Sequence, residues 1–292
     1  MWQAIEQAIY DSTGETFRVL SSREIGGGCI NDTVCLQGER RNFFVKLNRA
    51  DKLDMFRAEA AGLEAILATA SVRAPRPITA GQDKRRSWLV MEHIELASPS
   101  RQTSALLGEQ LAAMHRIPGA AFGWERDNTL GVTPQPNPNE PDWIAFFRRH
   151  RLQFQLALAR GNGASVDLLD SGARLCEALP RFFDGYRPQP SLLHGDLWGG
   201  NWAADASGQP VIFDPAVYYG DREADLAMTE LFGGFDDRFY HSYRHAWAID
   251  PGYTTRKVLY NLYHVLNHYN LFGGNYARQA QDMIDRLIAQ IS

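Results

Sequence analysis

The chain has 292 residues, 45% hydrophobic and 22% charged, which is globular usage and excludes a disordered or collagen-like chain. Thirty Lys and Arg against 34 Asp and Glu leave a net charge of −4, so the basic excess of a nucleic-acid binder is missing. No apolar run reaches the ~18 residues of a membrane helix, the start lacks a secretory pattern, and Cys29, Cys35 and Cys176 are too scattered for a disulfide framework. A cytoplasmic protein with no membrane partner is expected.

In chain order, residues 2–11 read as a short amphipathic helix. Strands follow at 17–25 and 32–37, separated by Gly26-Gly27-Gly28. Phe43 to Leu47 reads as a third strand, and the Ala-, Leu- and Glu-rich stretch 53–70 as a helix. Strand character returns at 87–94. Beyond residue 97 helices dominate, at 102–117, 142–160, 165–184, 223–232, 237–247, 254–272 and 275–290. Short strands interrupt them near 191–194 and 210–213, and the Pro- and Gly-rich stretch 131–141 reads as a loop. In 254–272, Val258, Leu262, Val265 and Tyr269 fall on one face. No fixed-period repeat is present. The pattern predicts an α+β, bilobal chain: a strand-rich lobe over 1–93 and a helical lobe over 94–292.

The densest chemical signal is His194-Gly195-Asp196-Leu197-Trp198-Gly199-Gly200-Asn201, followed by Phe213-Asp214-Pro215. Asn201 lies five positions after Asp196, and Asp214 thirteen after Asn201. This is the kinase spacing of a base Asp, a metal-binding Asn and a metal-binding Asp. Phosphoryl transfer from ATP concentrates negative charge, which Mg²⁺ on oxygen ligands disperses. Asn201 and Asp214 suit that metal role, and Asp196 suits the base that takes the acceptor's proton.

The first half supplies matching parts. Gly26, Gly27 and Gly28 lie where backbone N–H groups could wrap phosphates. Lys46 ends the run Phe-Phe-Val-Lys, as a phosphate-binding kinase lysine does. Glu59, thirteen residues on, is placed to pair with it. Met91, Glu92 and Ile94 resemble a hinge that holds adenine through the backbone. Asp214 and Asp225 are separated by eleven positions, which leaves no room for a long peptide-binding activation segment and favours a small acceptor. Trp198 is expected on the substrate side. His194 and Asp225 are expected to hold the catalytic loop, and Asp221, Glu223, Glu230, Asp236 and Asp237 to form a solvated surface and a helix start. Cys29, directly after the glycines, is a candidate redox handle whose oxidation could link two subunits and block nucleotide binding.

The sequence resembles the fructosamine kinase (ketosamine-3-kinase) family, within the wider aminoglycoside phosphotransferase-like and protein-kinase-like fold. The resemblance rests on Gly26 to Asn31, Phe44-Val45-Lys46, Asn128 and Thr133 to Asn137. It continues through His194 to Asn201, Phe213 to Ala216, Gly220 to Met228 and Phe232 to Phe235. It implies ATP- and Mg²⁺-dependent phosphorylation of the 3-hydroxyl of a sugar attached to an amine, carried by a small molecule or by a protein lysine. The unstable 3-phosphate then releases the amine. Other readings are an aminoglycoside, choline or homoserine kinase, or a non-catalytic ATP-binding sensor. A monomer and a homodimer both fit.

Overall fold

The computed structural model describes residues 1–26 and 30–291. Its chain forms two compact units, one of Met1–Thr103 with Trp202–Pro215, the other of Ser104–Asn201 with the residues from Ala216 onward. The composition change placed a boundary near residue 93. Contacts instead carry the first unit to Thr103, because Leu96–Ala97 pairs with Trp202–Asp205.

The first unit begins with α1 (Trp2–Thr13), ended by Gly14 in a left-handed conformation. Strands β1 (Ser21–Glu24), β2 (Asp32–Gln37) and β3 (Asn42–Arg49) follow. After them come α2 (Leu53–Ala68), β4 (Pro77–Gln82), β5 (Arg86–Glu92) and β6 (Leu96–Ala97). The sheet is antiparallel, in the order β1-β2-β3-β5-β4. Side chains alternate across a strand, so Phe43, Val45 and Leu47 of β3 pack with Ile5 and Ile9 of α1. Lys46 points to the other face, towards α2. The sequence pattern missed β4, which starts at a proline and contains Gly81, both weak strand residues.

In the second unit, α3 (Arg101–His115), which begins in the first, leads to a small hairpin of β7 (Asn128–Leu130) and β8 (Thr133–Gln135). Gly131, at φ +66°, makes its turn. This hairpin falls in part of the stretch read as a loop. The predicted helix 142–160 is α4 (Trp143–Phe147), a wider-wound π segment Arg148–Gln153, and α5 (Phe154–Gly161). Helix α6 (Val166–Ala178) stops short of residue 184 because Pro180 gives way to a 3-10 turn.

The strand β9 (Ser191–Leu193) runs into the loop that carries His194 to Asn201. Next, β10 (Trp202–Asp205) and β11 (Pro210–Ile212) form a hairpin belonging to the first unit. Back in the second unit, β12 (Tyr218–Gly220) pairs with β9 and leads into α7 (Arg222–Leu231), α8 (Asp237–Ala246), α9 (Tyr253–Phe272) and α10 (Tyr276–Ala289). In α9, the helix expected over 254–272, every residue from Leu259 to Asn267 is buried, where α5, α7 and α10 pack against it. No helix among the described residues is long and apolar enough to cross a membrane.

Candidate active site

The first unit builds an ion triad around Lys46. The Lys46 ammonium lies 2.5 Å from Glu59 Oε1 and 2.6 Å from Asp214 Oδ1. The thirteen-residue spacing works because β3 pairs centrally in the sheet and α2 lies on the face to which Lys46 turns. Burial alone would lower the Lys46 pKa, but the Glu59 and Asp214 charges outweigh it and raise the value, so the ammonium stays charged. Glu59 is raised by burial, with Lys46 opposing and the Asp214 charge adding to the rise.

Asp214 is a non-glycine residue in the left-handed region, at φ +59°. Such a conformation costs about 1 kcal/mol and is tolerated best by Asn and Asp. Strain of this kind concentrates at functional positions. Half of the Asp214 side chain remains exposed, so one triad member faces outward while Lys46 is buried.

The second unit builds the loop that carries Asp196. Beneath it, the buried Asp225 accepts hydrogen bonds from the backbone N–H groups of His194 (2.7 Å) and Gly195 (2.8 Å). His115 Nε2 lies 3.1 Å from the same carboxylate, and its Nδ1 lies 2.8 Å from the Tyr243 hydroxyl. Burial alone would raise the Asp225 pKa. The His115 hydrogen bond, the charges of His115 and His194 and the Gly195 amide outweigh that and hold it low. Gly195 is required by geometry: its φ is +83°, and a Cβ would run into the Ala216 carbonyl.

The Asp196 N–H donates to His194 Nδ1 (3.3 Å), which makes the imidazole a loop brace. Asn201 donates Nδ2–H to the Asp196 carbonyl (2.8 Å) and lies 3.4 Å from its carboxylate. Its amide oxygen is the end not used in those bonds. Trp198 is 38% exposed, and its ring lies across Gly200, where a Cβ would collide with it. It is therefore no core residue.

A buried amide network, which motif spacing does not mark, lies behind the segment that follows Pro215. Asn128 donates to the Val217 carbonyl (2.7 Å), and Gln135 to Asn128 (2.8 Å) and the Ala216 carbonyl (3.1 Å). Arg151 donates to Asn137, and Tyr263 to Gln135. The residues quoted in the 128–137 stretch thus position backbone. Asn, Gln and Pro in a hairpin of three-residue strands give no periodic signal.

One expectation needs correction. Asp221 and Glu223 are buried, not solvated: Tyr186, Tyr260 and the Glu223 N–H donate to Asp221, and Arg256 grips Glu223 through two nitrogens. Glu92, placed among the adenine contacts, has its N–H on the Arg76 carbonyl (2.9 Å) and its carboxylate on Arg73 (2.9 Å). Met91 is a buried central strand residue and Ile94 is half-buried. Gly26 is exposed, whereas Gly27, Gly28 and Cys29 lie outside the described residues.

The family profile described as fructosamine kinase matches residues 1–290. The chain belongs to the fructosamine kinase family. A probable ketoamine kinase of Synechocystis is 48% identical over 288 residues, 98% of this chain and 97% of that one. A chloroplastic protein-ribulosamine 3-kinase of rice is 42% identical over 275 residues, 93% of this chain and 80% of that one. A solved structure of a candidate fructosamine-3-kinase from Haemophilus somnus superposes with a TM-score of 0.90 at 28% identity, covering 99% of this chain and 98% of that one. The wider fold is shared with an aminoglycoside phosphotransferase (TM-score 0.63, 14% identity, full coverage of both), a likeness of fold alone. The α+β, protein-kinase-like class expected from the sequence is the one observed.

Proposed function

We propose that this enzyme is an ATP-dependent ketosamine kinase that phosphorylates the 3-hydroxyl of a sugar joined to an amine. The observation that carries the reading is the Lys46–Glu59–Asp214 triad in a chain of the fructosamine kinase family. A cation fixed by two carboxylates suits the phosphates of ATP, whose oxygens can take over one of its bonds. Gly26, Gly27 and Gly28 would supply backbone N–H groups to the same phosphates, and the backbone of Met91, Glu92 and Ile94 would meet the adenine. The first unit is on this reading the nucleotide side, and the second carries the base and the acceptor.

Asp196 takes the proton as the sugar hydroxyl attacks the γ-phosphorus and ADP leaves. Its loop is held through main-chain bonds to Asp225, so the carboxylate is preorganised before substrate arrives. Mg²⁺ takes oxygen ligands and few of them from protein, and the Asp214 carboxylate and the Asn201 amide oxygen are each of the kind that would hold it. When bound, the ion disperses charge on the transferring phosphoryl group. Trp198 would face the acceptor. A cytoplasmic setting accords with the buried free thiols Cys35 and Cys176, and a Cys29-linked dimer under oxidation remains part of the proposal, read by a non-reducing gel.

The test is acceptor-dependent ADP release with Mg²⁺-ATP and reductant, using fructose-, ribulose- and erythrulose-lysine beside kanamycin, choline and homoserine. Turnover should occur on a ketosamine and fall about 10²- to 10⁴-fold in Asp196→Asn. Turnover on choline, homoserine or kanamycin instead, or ATP binding with no turnover, would overturn the reading.

A further inference from the structure

Arg151 is a cation sealed from water, 0% exposed. Buried charges are ordinarily paired with an opposite charge. The Arg151 hydrogen bonds among the described residues go instead to neutral oxygens: the Pro136 carbonyl (2.7 Å), the His150 carbonyl (3.0 Å) and Asn137 Oδ1 (2.6 Å). Its Nε–H has no acceptor among them. Rings stand where a carboxylate is expected. The guanidinium carbon lies 4.1 Å from the ring centre of Tyr218, 4.6 Å from that of Phe146 and 5.7 Å from that of Tyr263. Phe146 and Arg151 are five positions apart, which an α-helix turns to different faces. The i→i+5 winding of Arg148–Gln153 lets them meet, and widened turns of this kind collect at functional positions.

The cation sets the direction of a relay. A guanidinium only donates, so Asn137 must turn its Oδ1 to Arg151 and its Nδ2 away. That Nδ2 donates to Asn128 Oδ1 (3.1 Å) and to the Arg126 carbonyl (3.2 Å). Asn128 Oδ1 also accepts from Gln135 Nε2, which leaves Asn128 Nδ2 for the Val217 carbonyl, and Gln135 Nε2 reaches the Ala216 carbonyl as well. A carbonyl only accepts, so the far end demands the same direction. Between Arg151 and residues 216–217 the amides fit one way round. Ala216 in turn donates its N–H to the His194 carbonyl (2.8 Å), and its own carbonyl lies against Gly195. The loop that carries Asp196 is thus held twice within the second unit. Asp225 takes two of its N–H groups, and Ala216 takes its His194 carbonyl.

We infer that Arg151 is a positioning residue for phosphoryl transfer: through Asn137, Asn128 and Gln135 it fixes Ala216 and Val217, and with them the carbonyl side of the Asp196 loop. The inference rests on the reading of Asp196 as the base. An apolar side chain in the same ring cage would avoid burying an unpaired charge, and exchanges of that kind often leave a fold as stable or more so. It would also leave Asn137 free to turn over, and the direction of the relay would be lost. Misplacing a reacting group by about 1 Å costs on the order of 10²-fold in rate, and neither ATP nor the acceptor need bind less well.

The test uses the whole enzyme and two variants, each read by kcat and KM on a ketosamine, by the urea midpoint, and by hydrogen exchange of the peptide spanning residues 215–218. Arg151→Met keeps the stem and removes the donor. Asn137→Asp keeps an acceptor for Arg151, gives the buried cation a counter-charge, and puts an oxygen where the donor to Asn128 was. The two should lower kcat about 10²-fold and about 10-fold respectively, with KM for ATP and for the acceptor within about 2-fold of wild type. Both should speed exchange at Ala216. Asn137→Asp decides the matter if Arg151→Met does not fold, because Arg151 itself is kept and retains its partner. Wild-type kcat in a folded Asn137→Asp, or a kcat that falls only as far as the folded fraction does, would overturn the inference. So would unchanged exchange at Ala216 in the folded variants. A wild type silent on every ketosamine would overturn the ketosamine reading; the exchange comparison, which needs no substrate, would still decide whether Arg151 holds Ala216.

Discussion

Lys46 and Asp196 are fixed by different kinds of bond. Lys46 is held by side chains alone, between two carboxylates, one of them half exposed. Asp196 is held through the main chain, because the N–H groups of the two residues before it rest on one buried carboxylate. The first arrangement depends on charge and can exchange a partner for a ligand. The second is part of the fold. Substitutions in the two places should therefore separate activity from stability.

The largest effect is expected at Asp225. Asp225→Ala leaves two buried N–H groups and His115 without their acceptor, and should cost about 3–5 kcal/mol of stability, measured by urea denaturation. Lys46→Met should lower kcat/KM for ATP about 10²- to 10³-fold, the loss typical of one well-placed cationic donor, with a smaller change in the urea midpoint than Asp225→Ala. If the two variants lose equal stability, the contrast between charge-held and backbone-held parts fails.

The smallest effect sharpens the second half of the comparison. His264 is buried in α9, and burial first, then the His268 charge, push its pKa down from 6.5 to about 3. The unfolded chain binds a proton below pH ~6.5 that the folded chain refuses, so stability falls as pH drops from there towards 3. Between pH 7.5 and 5.5 this one group should cost the wild type about 1.4 kcal/mol. His264→Gln should remove that share, read as a flatter pH dependence of the urea midpoint. An unchanged dependence would mean that the imidazole charges in the folded state.

The residues legible in sequence were those whose partners sit at short or regular intervals. Lys46 with Glu59 follows from a strand ending before a helix, and Asp196 with Asn201 from one tight loop. Asp221 and Glu223 looked solvated because their local stretch is acidic; Arg256 and Tyr260, which bury them, lie more than thirty positions away. His115 stands 110 positions from Asp225, and no local pattern marks such a pair. The strands β10 and β12, of four and three residues, are too short for alternation to show.

The two buried thiols have a practical consequence. Cys35 lies in the first unit and Cys176 in the second, each 1% exposed. Burial pushes both thiols above the ordinary range, Cys176 to about 12 with Glu177 adding and Arg148 opposing. A thiol reagent should therefore leave both unlabelled while the fold is intact, and any label on the native chain reports Cys29. Under mild denaturant, peptide mapping of the later labels would time the opening of each unit separately, one cysteine serving as the clock for each.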